Sequence, residues 1–197
     1  MPYVDLAFRI KGTHVPVDHG YSLYSAVNHV VDIHTAQAIG LHPIRGVYSG
    51  DGNLRITSSS RLIFRIPNEE IRIYLKLAGK RLEVDGCALR VGIPEVRLLK
   101  PTSILRSRTV TIKGFMESEP FLEAVNRQLY SLGISSSDVL LGERRTFRVK
   151  DKQVVGFELF VSGLTDEESL TLQTKGLGGR RRMGCGIFIK AKKVPTK

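Results

Sequence analysis

Near its carboxyl terminus the chain carries the sequence Lys175-Gly176-Leu177-Gly178-Gly179-Arg180-Arg181-Arg182-Met183-Gly184-Cys185-Gly186. Glycines permit left-handed backbone angles and remove side-chain bulk, so several N–H groups of this stretch can turn toward one bound anion. The three consecutive arginines add positive charge and planar donor groups that suit phosphate oxygens. We name residues 175–186 the glycine-rich loop and predict that it binds phosphate.

The segments on both sides of the glycine-rich loop predict its place in the fold. The preceding Thr165–Glu168 has the spacing of a capping box that opens a helix, and the following Gly186–Ala191 predicts a strand. This order argues against a Walker loop, which follows a strand and ends in Lys-Ser or Lys-Thr, because here Gly184 is followed by Cys185. A dinucleotide-binding fingerprint fails as well, since Arg181 stands where its third glycine belongs.

Outward from the loop, the second half of the chain repeats the order of the first half. Alternating apolar residues predict strands, and helical spacing with caps predicts helices. The elements predicted in the first half are Tyr3–Ile10, a helix from Asp18 to near Asp32, Leu54–Thr57, Arg61–Ile66, a helix from Glu69 to Leu77, and a hairpin of Leu82–Val84 with Ala88–Val91. Those predicted in the second half are Thr109–Lys113, a helix over Ser118–Leu132, Thr146–Lys150, Gln153–Val161, a helix from Asp166, and Gly186–Ala191.

Each half therefore has the order β-α-β-β-α-β. Two such units predict an α+β protein built from two tandem ferredoxin-like domains, each with its helices packed on one face of an antiparallel sheet. We place the amino-terminal domain at residues 1–99 and the carboxy-terminal domain, which carries the glycine-rich loop, at residues 104–197.

The charge of the chain indicates a polyanionic partner. Its 197 residues carry a formal net charge of +11, and the sequence pI is near 9.9. Nucleic acid is the leading candidate, because lysine and arginine on one face attract phosphate backbones. An anionic membrane surface would require a basic amphipathic helix, and the predicted helices are not notably basic.

The cysteines and the amino-terminal residues indicate the cellular compartment in which the protein is expected. Cys87 and Cys185 have no partner cysteine or histidine at zinc spacing, which fits a reducing compartment and predicts neither a metal site nor a cofactor. Met1–Asp5 lacks the basic start and apolar core of a signal peptide, and no apolar run approaches the length of a membrane span. We therefore expect a cytoplasmic protein that does not contact a membrane.

Two stretches together resemble the CRISPR-associated Cas6 family, within the repeat-associated mysterious protein (RAMP) superfamily. One is the glycine-rich loop with its continuation to Phe188, and the other is Val15–Tyr24 leading to Ile33-His34, which resembles the family's first helix and catalytic loop. The resemblance covers nearly the whole chain and is greatest to compact members. It implies a metal-independent endoribonuclease that cuts CRISPR repeat RNA in precursor transcripts. The 2′-hydroxyl attacks the adjacent phosphorus, leaving a 2′,3′-cyclic phosphate and a 5′-hydroxyl.

The resemblance also implies the residues of the site. The family's catalytic histidine lies just beyond the first helix, and His34 matches that placement best, with His42 as the second choice. Many members add a tyrosine or lysine, but Asn28 stands at the corresponding helix position here. The nearby residues able to compensate are Tyr24, Arg45 and Tyr48. The residues that the resemblance and the basic strands assign to RNA binding are Lys175, Gly176, Gly178, Gly179, Arg180, Arg181, Arg182, Gly184, Gly186, Arg144, Arg145 and Arg148.

Two alternative functions use the same residues. A non-catalytic RNA-binding subunit of a CRISPR effector complex would need the basic surfaces but no working histidine. A small-molecule enzyme would use the glycine-rich loop to bind a phosphorylated substrate, and its affinity for RNA would not fall steeply with salt. The partners expected for the preferred function are CRISPR repeat RNA, as precursor and product, and the subunits of an effector complex that receives the product.

Overall fold

The fold consists of two compact units, Met1–Leu98 and Leu99–Lys197. The structure is a computed structural model that describes residues 2–34, 39–135 and 137–194. Residues 35–38 of the predicted catalytic loop and residues 195–197 of the predicted basic tail lie outside the described residues. Both units confirm the predicted α+β class with antiparallel sheets.

The amino-terminal unit is built on a five-stranded sheet with the strand order β3-β6-β1-β8-β7. Its elements are β1 (Tyr3–Lys11), β2 (His14–Pro16), α1 (Gly20–Asn28), β3 (Gly40–Leu41), β4 (Val47–Tyr48), β5 (Asn53–Arg55), β6 (Arg61–Pro67), a 3₁₀ turn (Asn68–Glu70), α2 (Ile71–Tyr74), a second 3₁₀ turn (Leu75–Leu77), β7 (Arg81–Val84) and β8 (Cys87–Leu98). Side chains alternate across a strand, so Leu6 and Phe8 of β1 face the helical layer and pack in one core with Leu23 and Val27 of α1.

Two details of the amino-terminal unit differ from the prediction. The strand expected at Leu54–Thr57 pairs with β2 and β4 in a separate three-stranded sheet, and the two-residue β3 takes its place beside β6. A strand of two residues is too short to show an alternating pattern. Helix α1 has His19 rather than Asp18 at its N-cap position, with no side-chain cap, and it ends at Asn28 rather than near Asp32.

The carboxy-terminal unit has a four-stranded sheet with the order β10-β11-β9-β12. Its elements are β9 (Ile104–Val110), α3 (Ser118–Ser131), β10 (Asp138–Val149), β11 (Lys152–Ser162), α4 (Asp166–Lys175), a 3₁₀ turn (Arg181–Met183) and β12 (Ile189–Lys190). Phe121 of α3 packs against Phe157 of β11 with 4.6 Å between ring centroids, which joins the helical layer to the sheet.

Strand β9 begins five residues before the predicted start at Thr109. Ser107 and Thr109 occupy buried positions of this strand, so polar residues interrupt the alternation that a sequence pattern detects. Among the described residues, none of the helices combines the length and the apolar character that a membrane span needs.

Candidate functional site

The leading catalytic candidate, His34, lies in the segment that follows α1. Its exposed ring shares a hydrogen bond with Tyr24 of α1, and the Tyr24 Oη and His34 Nδ1 atoms are 2.9 Å apart. The Tyr24 ring is half-buried and packs against the core of the amino-terminal unit. The structure therefore brings together two of the three residues predicted as catalytic, with a rigid helix supporting the tyrosine.

Two side chains and one core contact hold the backbone beneath His34. The N–H of Ile33 donates to Asn28 Oδ1 at 3.0 Å, and the N–H of His34 donates to Asp32 Oδ1 at 3.0 Å. The Ile33 side chain is fully buried in the core. The sequence prediction missed Asn28 and Asp32 as positioning residues. Their spacing was a usable signal, because Tyr24 and Asn28 are four residues apart and share one face of a helix.

The pair of Tyr24 and His34 has the chemistry of a proton-transfer site. A tyrosine hydroxyl can donate to Nδ1 or accept from it, and either arrangement fixes the orientation of the imidazole and which nitrogen carries the proton. An accessible imidazole is the side chain most often used to remove or supply a proton within hydrogen-bond reach of a substrate. This arrangement suits general acid–base chemistry.

The second candidate, His42, belongs to a buried ionic cluster, and this prediction is corrected. Its residue surface is 7% exposed, and its Nε2 lies 3.5 Å from Asp5 Oδ1. Asp5 accepts two hydrogen bonds from Arg65, at 2.8 Å from Nε and 2.9 Å from Nη2. Burial lowers the pKa of His42 despite the opposing effect of Asp5. A ring in this position offers no surface to a substrate phosphate.

The Asp5 carboxylate stays ionised within this cluster. Burial by itself raises its pKa, but the hydrogen bonds and charges of His42 and Arg65 outweigh burial and lower the pKa well below its usual range. Since one carboxylate faces one permanently charged guanidinium, a neutral His42 leaves the cluster electrically balanced. His42 therefore supports the sheet of the amino-terminal unit.

The remaining histidines have structural or surface positions. His19 is buried, and its Nδ1–H donates to the Pro16 carbonyl at 2.6 Å while its Nε2 accepts the N–H of Ile44 at 2.9 Å. This neutral ring joins the start of α1 to the segment after β3. His14 and His29 are exposed, and each is bonded to a neighbour in its own segment.

The glycine-rich loop follows α4, whose amino terminus has the predicted capping box. The Thr165 hydroxyl accepts the N–H of Glu168 at 3.2 Å, and the Glu168 carboxylate accepts the N–H of Thr165 at 2.9 Å. These bonds satisfy donors that a helix start otherwise leaves unpaired. The loop then runs from α4 to β12 through the 3₁₀ turn, so the predicted helix–loop–strand order is confirmed.

Most backbone N–H groups of the loop, including those of its glycines, donate to acceptors within the carboxy-terminal unit, and the expectation that the glycine amides form an anion cradle is corrected. Gly178 donates to Gln128 Oε1 at 2.8 Å, Gly179 to the Thr111 carbonyl at 2.8 Å, and Gly186 to the Thr109 carbonyl at 2.7 Å. The other loop residues whose N–H groups donate to backbone carbonyls are Gly176, Leu177, Met183, Gly184 and Cys185. The amides of Gly176, Gly178, Gly179, Gly184 and Gly186 thus fix the loop to its own unit.

Three of the glycines are required by close backbone contacts. A Cβ atom on Gly176 would lie 2.3 Å from the Gly186 carbonyl oxygen, and one on Gly178 would lie 2.3 Å from the Thr111 carbonyl oxygen. A Cβ atom on Gly186 would lie 2.0 Å from the Leu177 carbonyl oxygen, and all three glycines have positive φ. These residues let two turns of backbone pack directly on each other and on Thr111, which follows β9.

The part of the glycine-rich loop that can still bind a phosphate is its set of cationic side chains. Lys175 and Arg180 are exposed, and Arg180 has a left-handed backbone with φ of 60°. Its carbonyl accepts the N–H groups of Met183 and Cys185, which stabilises that conformation. The side chains of Arg181 and Arg182 are half-buried, and Arg181 Nη2 donates to the Thr174 carbonyl at 2.8 Å.

The predicted basic strand is β10, at the edge of the carboxy-terminal sheet. Arg144 and Arg148 are exposed and lie four residues apart, so they share one face of the strand. Arg145 lies on the other face, where its Nη2 donates to the Glu143 carboxylate at 2.7 Å. The structure therefore brings Arg144 and Arg148 together and separates Arg145 from them.

The described residues include no group of three or more His, Cys, Asp or Glu side chains that could hold a metal ion.

Comparison with known proteins agrees with this architecture. The family model described as Cas6 Crispr matches residues 4–193. The CRISPR-associated endonuclease Cas6 of Myxococcus xanthus (strain DK1622) is 38% identical over 197 residues, covering 96% of this chain and 82% of that protein.

Solved structures with the same fold are more distant in sequence. A CRISPR-associated protein Cas6 aligns with a TM-score of 0.64 at 15% identity, covering 97% of this chain and 99% of the other. A Cas6-related protein from Pyrococcus furiosus aligns with a TM-score of 0.66 at 13% identity, covering 98% of this chain and 99% of the other. A RAMP protein described as binding different RNA substrates aligns with a TM-score of 0.67 at 12% identity, covering 95% of this chain and 98% of the other.

Two ferredoxin-like units, with a histidine after the first helix and a glycine-rich loop before the last strand, define an α+β protein that shares its fold with the RAMP protein above. The family model and the 38% identical relative show that the chain belongs to the Cas6 family. The resemblance drawn from the sequence is therefore confirmed.

Proposed function

We propose that this protein is a metal-independent endoribonuclease that cuts CRISPR repeat RNA within precursor transcripts to yield guide RNAs. The observation that carries this proposal is the exposed His34 ring, held at Nδ1 by the hydroxyl of Tyr24. A buried or unsupported histidine would argue against catalysis, whereas this ring is both accessible and oriented. The 38% identical Cas6 endonuclease supports the same reaction class.

The proposed chemistry is an internal transesterification. The 2′-oxygen bonds to the adjacent phosphorus, the bond from phosphorus to the 5′-oxygen breaks, and the products are a 2′,3′-cyclic phosphate and a 5′-hydroxyl. One proton leaves the 2′-hydroxyl and one must reach the departing 5′-oxygen. His34 takes one of these two roles, and Tyr24 sets the orientation of its ring. A single well-placed acid or base contributes roughly 10²–10⁴-fold to the rate.

RNA binding is assigned to cationic side chains of the carboxy-terminal unit. Lys175 and Arg180 of the loop and the Arg144–Arg148 face of β10 are exposed and can pair with phosphate oxygens. The half-buried Arg181 and Arg182 add charge behind them. The proposal requires one RNA strand to reach both these cations and His34. It also assigns the protein to the cytoplasm, where precursor transcripts are made and effector-complex subunits receive the product.

The test is cleavage of a labelled repeat RNA in the presence of EDTA. The wild-type protein should cut this RNA and leave a cyclic phosphate, and it should not cut a matched RNA with 2′-deoxyribose immediately upstream of the scissile bond. The His34→Ala variant should lose at least about 10²-fold in rate while binding RNA with nearly unchanged affinity. Tight binding without cutting by the wild type would instead identify a non-catalytic RNA-binding subunit.

A further inference from the structure

Strand β8 extends well beyond the strand that flanks its outer side. Strand β7, at the edge of the sheet, pairs with β8 only from Cys87 to Arg90. Gly79 and Lys80 lengthen this contact by one position, through two backbone hydrogen bonds to Val91. In the part of the chain that the structure describes, no strand pairs with residues 92–98 on that side, whereas β1 pairs with residues 94–98 on their other side. We name residues 92–98 the free edge of β8.

The backbone of the free edge presents hydrogen-bonding groups on its open side. Pro94 has no N–H, and a proline within a strand takes a position whose N–H would point away from the rest of the sheet. The direction of the N–H and C=O groups alternates along a strand, so Val96 and Leu98 direct theirs to the same open side as Pro94. A row of such groups is a template for the addition of another strand.

The two faces of the free edge differ in chemistry. Val96 pairs with the core residue Leu6 of β1, so Val96 and Leu98 lie on the face of the sheet that carries the core. Even so, Val96 is 51% exposed and Leu98 is 74% exposed. Glu95 and Arg97 lie on the other face, where Arg97 Nε donates to Glu95 Oε1 at 2.8 Å. The free edge thus has an uncovered apolar stripe on one face and one charge of each sign on the other.

The sequence of the free edge is complementary to itself in the antiparallel direction. When Val96 lies opposite Val96 of a second copy, Glu95 faces Arg97 of that copy, and Pro94 faces its Leu98. The two Val96 backbones then exchange hydrogen bonds across a two-fold axis, and each Leu98 N–H meets a Pro94 carbonyl. In registers centred on Glu95 or Arg97, like charges would face each other, and the backbone groups at the centre would point toward β1 instead. The Val96 register is therefore the one that satisfies both backbone and charge.

This complementarity favours a second copy of the chain as the occupant of the free edge. Each Glu95 carboxylate would have two guanidinium groups beside it, one in its own strand and one across the interface. The side chains of Pro94, Val96 and Leu98 from both copies would form one apolar cluster around the axis and remove exposed surface from water. Because a single pair of strands makes a small interface, the association should be weak and should depend on protein concentration.

We propose that the free edge of β8 pairs with the free edge of a second copy, antiparallel and with Val96 on the two-fold axis, to form a homodimer with a continuous sheet. The inference goes beyond the proposed function and is independent of it, because it uses neither His34 nor the glycine-rich loop.

The experiment exchanges charges across the interface and measures mass by sedimentation without RNA. The wild type should form dimers at a chain concentration of about 0.1 mM, as expected for a small interface. Glu95→Arg leaves only arginine at positions 95 and 97, and Arg97→Glu leaves only glutamate, so each variant alone should associate at least about ten-fold more weakly. An equimolar mixture of the two variants should form heterodimers, and Glu95→Arg/Arg97→Glu should form homodimers again.

The matched control is Arg72→Glu, which reverses the same charge at an exposed position of α2 and should dimerise like the wild type. The Tm of Glu95→Arg and of Arg97→Glu, measured on dilute monomers, should be close to that of the wild type, because an exposed ion pair contributes little to stability.

A second arm tests the register by disulfide formation under mild oxidation in a Cys87→Ser background. Val96→Cys should form a cross-linked dimer, because facing positions of paired strands lie within the distance that a disulfide spans. Ile93→Cys is the matched control, since this position is also exposed on the free edge. In the Val96 register the two copies of residue 93 would be about 20 Å apart, at about 3.3 Å for each of six positions, and should not cross-link.

A wild type that stays monomeric at about 0.1 mM would leave the free edge to a strand of another protein and would overturn the inference. A charge-reversed mixture that does not associate, or equal cross-linking of the two cysteine variants, would also overturn it. None of these results bears on RNA cleavage, which the His34→Ala assay tests separately.

Discussion

The hydrogen bond between Tyr24 and His34 gives a prediction that separates a positioning role from direct proton transfer by the tyrosine. Tyr24→Phe removes one oxygen and keeps the half-buried ring that packs on the core. The lost contact is the 2.9 Å bond to Nδ1. A hydrogen bond of this kind contributes about 0.5–1.5 kcal/mol.

That free energy converts into a modest loss of rate. Since about 1.4 kcal/mol corresponds to a factor of ten, Tyr24→Phe should slow cleavage by about two- to twelve-fold. His34→Ala should slow it by at least about 10²-fold, because it removes the proton-transfer group itself. The affinity for RNA should be nearly unchanged in both variants, because both keep the lysine and arginine side chains that are assigned to phosphate binding.

The assay is single-turnover cleavage of a labelled repeat RNA at saturating protein, measured from pH 5 to pH 9. Tyr21→Phe is the matched control, because Tyr21 lies on the same helix with its ring 6.3 Å from that of Tyr24. The control should cut at the wild-type rate, and Tyr24→Phe should shift the pH profile because the ring loses a partner at Nδ1. A loss in Tyr24→Phe as large as in His34→Ala would refute the positioning role and make the tyrosine a proton donor or acceptor.

Two further predictions concern stability. Burial lowers the pKa of His42 in the folded protein, so the unfolded chain binds more protons just below pH 6.5. The Tm of the wild type should therefore fall as the pH drops from 7 to 5, and the Tm of His42→Gln should fall less in the same thermal melts. Equal pH dependence of the two Tm values would contradict the assignment of His42 as buried and neutral. Gly178→Ala should destabilise the carboxy-terminal unit by about 1–3 kcal/mol, because its Cβ would lie 2.3 Å from the Thr111 carbonyl oxygen at a positive φ. The matched control is Gly179→Ala, whose Cβ would lie 4.0 Å from the same oxygen. Its Tm in thermal melts should be close to that of the wild type.

Local sequence patterns determined much of the architecture. Alternating apolar residues identified β1, β6 and β11, and the Thr165–Glu168 spacing identified the start of α4. These signals are reliable because side-chain periodicity and helix capping depend on residues only a few positions apart. They also sufficed to recognise the family, because the histidine after the first helix and the glycine-rich loop each lie within one short stretch of sequence.

Only the tertiary structure decided how candidate residues are used. The sequence could not show that His42 is buried beside Asp5 and Arg65, because β1, the residue after β3, and β6 are distant in the chain. It also could not show that the amides of the glycine-rich loop donate to β9 and to Gln128 of α3, because an N–H group chooses its acceptor in space.

The contact between Tyr24 and His34 likewise depends partly on the sequence and partly on the tertiary structure. The sequence determined that a histidine follows a helix containing a tyrosine, but the ten-residue separation does not determine that they meet. The burial of Ile33 and the side-chain bonds from Asn28 and Asp32 bend the chain back toward the helix and bring the two rings together. Composition and periodicity determine which elements form, and long-range packing determines which side chains share a site, because hydrogen bonds and burial depend on positions in space.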